Sequence, residues 1–269
     1  MTLPIGILQG RLSPSEDGRF QFSPREWEAE FMIARELGFT SLEWLFDFTC
    51  FTENAMFTVS GREAIGIVAQ KAGVPVSSIC ADYYMKYRFT GADAKRSVEI
   101  LRMLIDSAET TSEKLILIPL LEGNAPKSGA EKEEIVSHIR NVLPTLMARN
   151  VRIGFETEMP RAELSAFLDS FSSDAVGVYY DIGNATSYGF DVPGDIRFFG
   201  KRIFGVHAKD RKKGSAQSVL LGTGDAPYKE TLRALQEIHF GGTIIMQAWR
   251  GEEYLSDAKK QLSLLTALI

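Results

Sequence analysis

Four side chains in the second half of this 269-residue chain combine types and positions suited to metal chemistry: Glu156, Asp181, His207 and Gln247. Each closes a short apolar run, respectively VRIGFET, VGVYYD, RIFGVHA and TIIMQAW. Two carboxylates, an imidazole and an amide oxygen form a ligand set for a divalent cation such as Mn²⁺, Mg²⁺, Co²⁺ or Zn²⁺, with positions left open for substrate oxygens. That is the chemistry of hydroxyl and carbonyl groups. Glu156, or its neighbour Glu158, is the candidate base. Other polar residues at or just beyond the ends of apolar runs, Gln9, Arg11, Glu43, Asn184, Lys209, Arg211 and Arg250, are candidate substrate-binding residues, with Glu43 reading equally as a partner that orients a ligand. The cations among them suit a phosphate or carboxylate, and read equally as solvated loop residues. Taken alone, an Asp at a strand end is often a turn or cap residue, and a His there is often satisfied structurally. What singles these residues out is their recurrence at four successive run ends.

Eight apolar, β-branched-rich runs begin at about Pro4, Thr40, Pro75, Lys114, Val151, Val176, Arg202 and Thr243. Between and after them lie segments of helical period: Ser23 to Leu37, Gly61 to Ala72, Ala94 to Thr110, Ala130 to Arg149, Pro160 to Phe171, Gly194 to Gly200, Pro227 to His239 and Tyr254 to Leu265. Ser23-Pro24 reads as a helix start, and Gly38 and Gly73 as C-caps. Eight strand–helix units predict an α/β fold, a (β/α)8 TIM barrel forming a single domain over residues 1–269. A doubly wound sheet alternates in the same way, but the segment after the first strand lacks its GxGxxG loop. In a barrel the C-terminal strand ends build the active site, which is where the polar residues above fall; the third run leads there to Asp82. Gly222-Thr223-Gly224-Asp225 reads as the turn and cap entering the next helix, or as a phosphate-binding turn, and the cap is preferred.

Composition narrows the function class. With 30 Lys and Arg against 35 Asp and Glu the net charge is −5, so there is no positive field to gather nucleic acid or anionic lipid. No apolar stretch approaches the roughly 20 residues of a membrane span. The N-terminal segment lacks the pattern of a signal peptide, so a cytoplasmic location is expected. Cys50 and Cys80 match no metal or redox spacing and read as two buried thiols. Only three histidines are present, and His138 and His239 lie in or at the end of helical segments as structural residues. Any metal site must therefore lean on carboxylates. Tyr83, Tyr84, Trp44, Trp249, Phe198 and Phe199 could line a sugar pocket or pack in the core. Pairing of two barrels is compatible with the fold, although the sequence marks no interface.

The segments IGILQGRLSP, EW at Glu43-Trp44, FETE at Phe155 to Glu158, YDIGN at Tyr180 to Asn184, HAKDR at His207 to Arg211 and GTGD at Gly222 to Asp225 follow one another at strand ends. In this order the chain resembles the xylose-isomerase-like TIM barrels, the group of sugar and sugar-phosphate isomerases and epimerases. The resemblance spans essentially the whole chain. It implies a small carbohydrate substrate and a divalent metal held by a Glu from strand 5, an Asp from strand 6, a His from strand 7 and a Glu from strand 8. Glu156, Asp181 and His207 match the first three; the fourth falls on Gln247.

A glutamine can coordinate through its carbonyl oxygen but cannot take a proton. Inverting a carbon needs acid–base groups on both faces, whereas aldose–ketose interconversion through a cis-enediolate can run with one base. The expected activity is therefore metal-dependent isomerisation or epimerisation of a small sugar, sugar phosphate or cyclitol, leaning to one-base isomerisation. The alternative is a catalytically altered carbohydrate-binding barrel. A dehydratase or lyase would share the proton-abstraction step. A nuclease of the same superfamily is disfavoured, since three histidines cannot supply a histidine-rich zinc cluster.

Overall fold

All eight apolar runs become strands of one sheet in the computed structural model, which describes residues 3–15 and 18–269. They are β1 (Ile5–Leu8), β2 (Leu42–Leu45), β3 (Val76–Cys80), β4 (Leu115–Leu120), β5 (Arg152–Thr157), β6 (Val176–Asp181), β7 (Ile203–Ala208) and β8 (Ile244–Met246). Every pairing is parallel, and the sheet closes where β1 pairs with β8 through Ile5↔Ile244 and Ile7↔Met246. The runs are apolar at nearly every position because both faces are covered. Leu8, Leu45, Cys80, Leu117, Tyr179 and Ile245 belong to the cluster that plugs the barrel, while Ile7, Trp44, Ile79 and Phe155 belong to the larger apolar layer that includes helix residues.

The helices are α1 (Glu28–Leu37), α2 (Val59–Ala72), α3 (Ala94–Ala108), α4 (Gly129–Arg149), α5 (Arg161–Asp169), α6 (Ile182–Ser187), α7 (Val192–Phe199), α8 (Tyr228–Glu237) and α9 (Tyr254–Leu268). Gly38 (φ 95°) and Gly73 (φ 69°) end α1 and α2 in the left-handed conformation, as expected of C-caps. Ser23-Pro24 does not start α1. The Ser23 hydroxyl donates to Leu45 O (2.7 Å) and accepts from Asn54 Nδ2 (3.0 Å), which ties the β1–α1 loop to β2 and leaves no cap for a helix. Helix α6 was not expected; it forms because Asp181 Oδ1 accepts from Asn184 N (2.7 Å) and caps it.

After β7, Asp210–Arg211 and Ser218–Val219 form a two-stranded antiparallel hairpin in the expected loop. The Gly222–Asp225 turn neither caps α8 nor offers its amides to a phosphate. Gly222 N, Gly224 N and Ala226 N donate to the Asp210 carboxylate (2.9, 2.9 and 3.1 Å), and Asp225 accepts from Lys213 N (2.9 Å). The two thiols also differ: Cys80 is buried in the barrel, but Cys50 is exposed in the loop after β2. Among the described residues, no helix is long and apolar enough to cross a membrane.

One close approach sets the active end of the barrel. A Cβ on Gly183 would lie 2.8 Å from both the Cγ and the carbonyl oxygen of Lys209, so α6 can start against the residue after β7 only with glycine there. Gly183→Ala is expected to destabilise the fold by about 1–3 kcal/mol, read as a lowered urea midpoint. A midpoint equal to that of the wild type would show that Lys209 yields freely.

Candidate active site

Asp181 is paired in register with His207 across β6 and β7, and Glu156 stands near the end of the adjacent β5. One ligand atom from each of Glu156, Asp181 and His207 lies within 4.8 Å of the other two, and all three residues are buried. The His207 ring is held from below. Its Nε2 lies 2.7 Å from Glu43 Oε2, and Glu43 Oε1 accepts from Tyr179 OH and Ser78 Oγ, both at 2.6 Å. With Nε2 donating to Glu43, the lone pair falls on Nδ1. Among the described residues Nδ1 is buried without a hydrogen-bond partner, and it lies 3.9 Å from Asp181 Oδ2.

The electrostatics describe a cradle short of positive charge. Burial and then the Asp181 carboxylate push the Glu156 carboxyl up to about 8. Burial works against the charged His207 ring, yet Glu43, Glu156 and Asp181 outweigh it and raise the imidazole above its ordinary value. Burial also opposes the Asp181 charge, but Lys209, His207 and the Asn184 amide together hold that carboxyl low. An unpartnered imidazole nitrogen between two converging carboxylates, with its other nitrogen on a buried carboxylate, fits a divalent cation.

Gln247 is not free to join them. Its Oε1 accepts from Lys209 Nζ (2.8 Å), which is also 3.3 Å from Asp181 Oδ2, while its Nε2 donates to Gln21 Oε1 (3.0 Å). A cation could reach the Gln247 oxygen only if the ammonium moved aside.

Beside the three residues lies a cavity of about 580 Å³ lined by Glu156, Asn184, Lys209, Arg211 and Gln247, and also by Asp82, Gln21 and Trp249. The other candidates lie elsewhere for definite reasons. Gln9 Oε1 accepts from Leu45 N (3.0 Å) within the barrel wall, and Glu43 is spent beneath His207. Arg11 lies over the Phe20 ring (4.1 Å) and donates to Phe20 O (2.5 Å), while Arg250 donates to Gly10 O, Ser13 O and Arg19 O. Both arginines therefore brace the loop whose Arg19, Phe20 and Gln21 form one wall of the cavity, rather than facing a ligand themselves. Glu158 accepts from Glu122 N (3.3 Å) and is not part of the cavity wall. Of the aromatic candidates Trp249 lines the cavity, Trp44, Tyr83 and Tyr84 are core, and Phe198 is exposed.

A family model of xylose isomerase-like TIM barrels matches residues 31–268. The chain belongs to that family. Among curated proteins it is similar to L-ribulose-5-phosphate 3-epimerase UlaE of Salmonella heidelberg, 22% identical over 260 residues, covering 92% of this chain and 87% of the relative. Among solved structures it is similar to an L-ribulose 3-epimerase (TM-score 0.77, 18% identity, 99% of this chain and 94% of the other). It is also similar to IolI with a bound zinc atom (TM-score 0.75, 16% identity, 99% of each chain). These structural likenesses extend the xylose isomerase-like fold over nearly the full chain, including the β1–α1 loop that the family match leaves out.

Proposed function

We propose that this member of the family is a cytoplasmic, metal-dependent isomerase or epimerase of a small sugar, sugar phosphate or cyclitol, working through an enediolate. The observation that carries the reading is the buried Nδ1 of His207, unpartnered among the described residues and close to Asp181 and to Glu156, which itself lines a sugar-sized cavity. The similarity to sugar epimerases supports the substrate class. Glu156, Asp181 and His207 would hold the cation. When bound, it would stabilise negative charge on a substrate oxygen, a contribution of several kcal/mol.

The chain's own residues do the rest. Glu156 takes the proton from the carbon next to the carbonyl, and Asn184 Nδ2, donating to Glu156 Oε1 (2.7 Å), aims the carboxylate. Lys209 and Arg211 at the cavity wall suit a phosphate or a hydroxyl-rich substrate. On strand 8 Gln247 takes no proton, so the groups of strands 5 to 8 by themselves supply one base on one face, enough for aldose–ketose interconversion.

Metal analysis of the chelator-treated, re-supplied protein tests the reading. About one tightly held divalent ion per chain is expected, with His207→Ala weakening the affinity more than ~10-fold. A wild-type chain that retains no ion would sink it. The Lys209 ammonium seated on Asp181 and Gln247 favours a second reading, a carbohydrate-binding barrel in which a lysine stands in for the cation. Sugar binding without turnover, with activity appearing only in Gln247→Glu, would support that reading.

A further inference from the structure

A second carboxyl lines the cavity from outside strands 5 to 8. In the ring β1-β8-β7-β6-β5-β4-β3-β2, β3 lies four positions from β7, directly across the barrel. Asp82 follows β3 and lines the same cavity as Glu156. A ligand in that cavity thus meets Glu156 from β5 and Asp82 from beyond β3, two strand positions apart in the ring, with Asp82 across the barrel from the strand that carries His207.

Asp82 is aimed by a directional chain of hydrogen bonds. Lys209 Nζ has only protons to give, so Gln247 must present its oxygen to it, and the Gln247 amide NH₂ then faces Gln21. Gln21 accepts with Oε1 (3.0 Å) and donates with Nε2 to Asp82 Oδ1 (2.9 Å). Asp82 Oδ2 is left without a hydrogen bond among the described residues. A glutamate at 247 would break this chain, since an ionised carboxylate cannot donate to Gln21. Burial, reinforced by Asp47, raises the Asp82 carboxyl to about 7, where it both gives and takes a proton near neutral pH.

We infer that Asp82 is the second acid–base group of the site and that Gln247 is retained as the relay that orients it, so that the chain inverts the carbinol carbon next to the carbonyl of a ketose. The inference rests on the enediolate reading above and changes its outcome from one-face isomerisation to epimerisation. Glu156 removes the proton from that carbon. The C–H electron pair becomes the C=C bond of the enediolate, and the carbonyl oxygen takes the charge. Protonated Asp82 then delivers its proton to the opposite face, the C–H bond re-forms, and the carbonyl returns. Asp82 ends as carboxylate and Glu156 as acid, and exchange with water resets both.

The test uses the full chain loaded with Mn²⁺ in D₂O and a panel of L-ribulose, D-psicose, D-fructose and the ribulose 5-phosphates, followed by proton NMR at C3 and by separation of the products. Wild type is expected to exchange the C3 proton of at least one ketose and to form its 3-epimer. Asp82→Asn is expected to lower epimer formation at least ~100-fold while exchange on the parent sugar stays within ~10-fold, since Glu156 is untouched. Gln247→Glu is expected to lower epimer formation as well. Should Asp82→Asn not fold, Asp82→Ser carries the same expectation. Epimer formation at the wild-type rate in the Asp82 variant overturns the assignment. Parallel loss of exchange and inversion in a folded variant, a gain in Gln247→Glu, or wild-type turnover of ketose only to aldose does so too. A wild type that exchanges no proton from any panel member overturns the enediolate reading, and the assignment falls with it.

Discussion

Glu156→Gln is expected to reduce turnover by about 10²–10⁴-fold with little change in the fold, the loss of a positioned general base. The substitution keeps size and polarity: a glutamine oxygen can still accept from Asn184 Nδ2 and reach a cation, but it cannot take a proton. The effect should therefore fall on kcat more than on KM or metal content, which initial-rate kinetics and metal analysis of one preparation would separate. Turnover within ~3-fold of wild type would assign the base elsewhere. Stability should move in the opposite direction. The Glu156 carboxyl is raised from its ordinary 4.5 to about 8, first by burial and then by Asp181, so the metal-free fold favours its protonated form. That stability is fully present below about pH 4.5 and is lost as pH rises through about 8. Glu156→Gln has no such proton to lose. Its metal-free thermal midpoint should equal or exceed that of wild type, with the gap widening from pH 5 to pH 8.

Removing Glu43 should have the largest effect on the fold. Its carboxylate is fully buried and serves the His207 ring, Tyr179 OH and Ser78 Oγ together. Glu43→Ala leaves three buried polar groups without their acceptor, a loss of about 3–5 kcal/mol by analogy with breaking a buried ion pair. Glu43→Gln is the sharper probe. Its oxygen can still serve Tyr179 and Ser78, but its NH₂ then faces His207 and requires Nε2 to accept. The ring proton moves to Nδ1, onto the lone pair a cation needs. Calorimetric titration should show metal affinity falling ~10–100-fold in Glu43→Gln, with a much smaller loss of stability than in Glu43→Ala. Unchanged affinity would mean that Glu43 does not set the tautomer.

Periodicity made the barrel legible. Strands buried on both faces must be apolar throughout and must end where the chain turns into the active-end loops, so the polar residue closing each run marked the rim, and Glu156, Asp181 and His207 do converge there. Function at a single strand end depends on local order, which a sequence displays. What one strand end says to another is not displayed. Glu43 read equally as a substrate contact and as a residue that orients a ligand, and only its meeting with His207, 164 positions away, favours the second; Gln247 read as a metal ligand, but its amide meets Gln21 from 226 positions away. Arg11 and Arg250 are drawn onto loop carbonyls because that loop crosses the mouth, a fact of closure rather than of composition. Ring closure likewise sets Asp82 across from His207. The sequence by itself determined which residues stand at the rim. The tertiary structure decided which of them face the cavity and which are already bonded to one another, because hydrogen bonds across a closed barrel join groups whose separation along the chain carries no information about their distance in space.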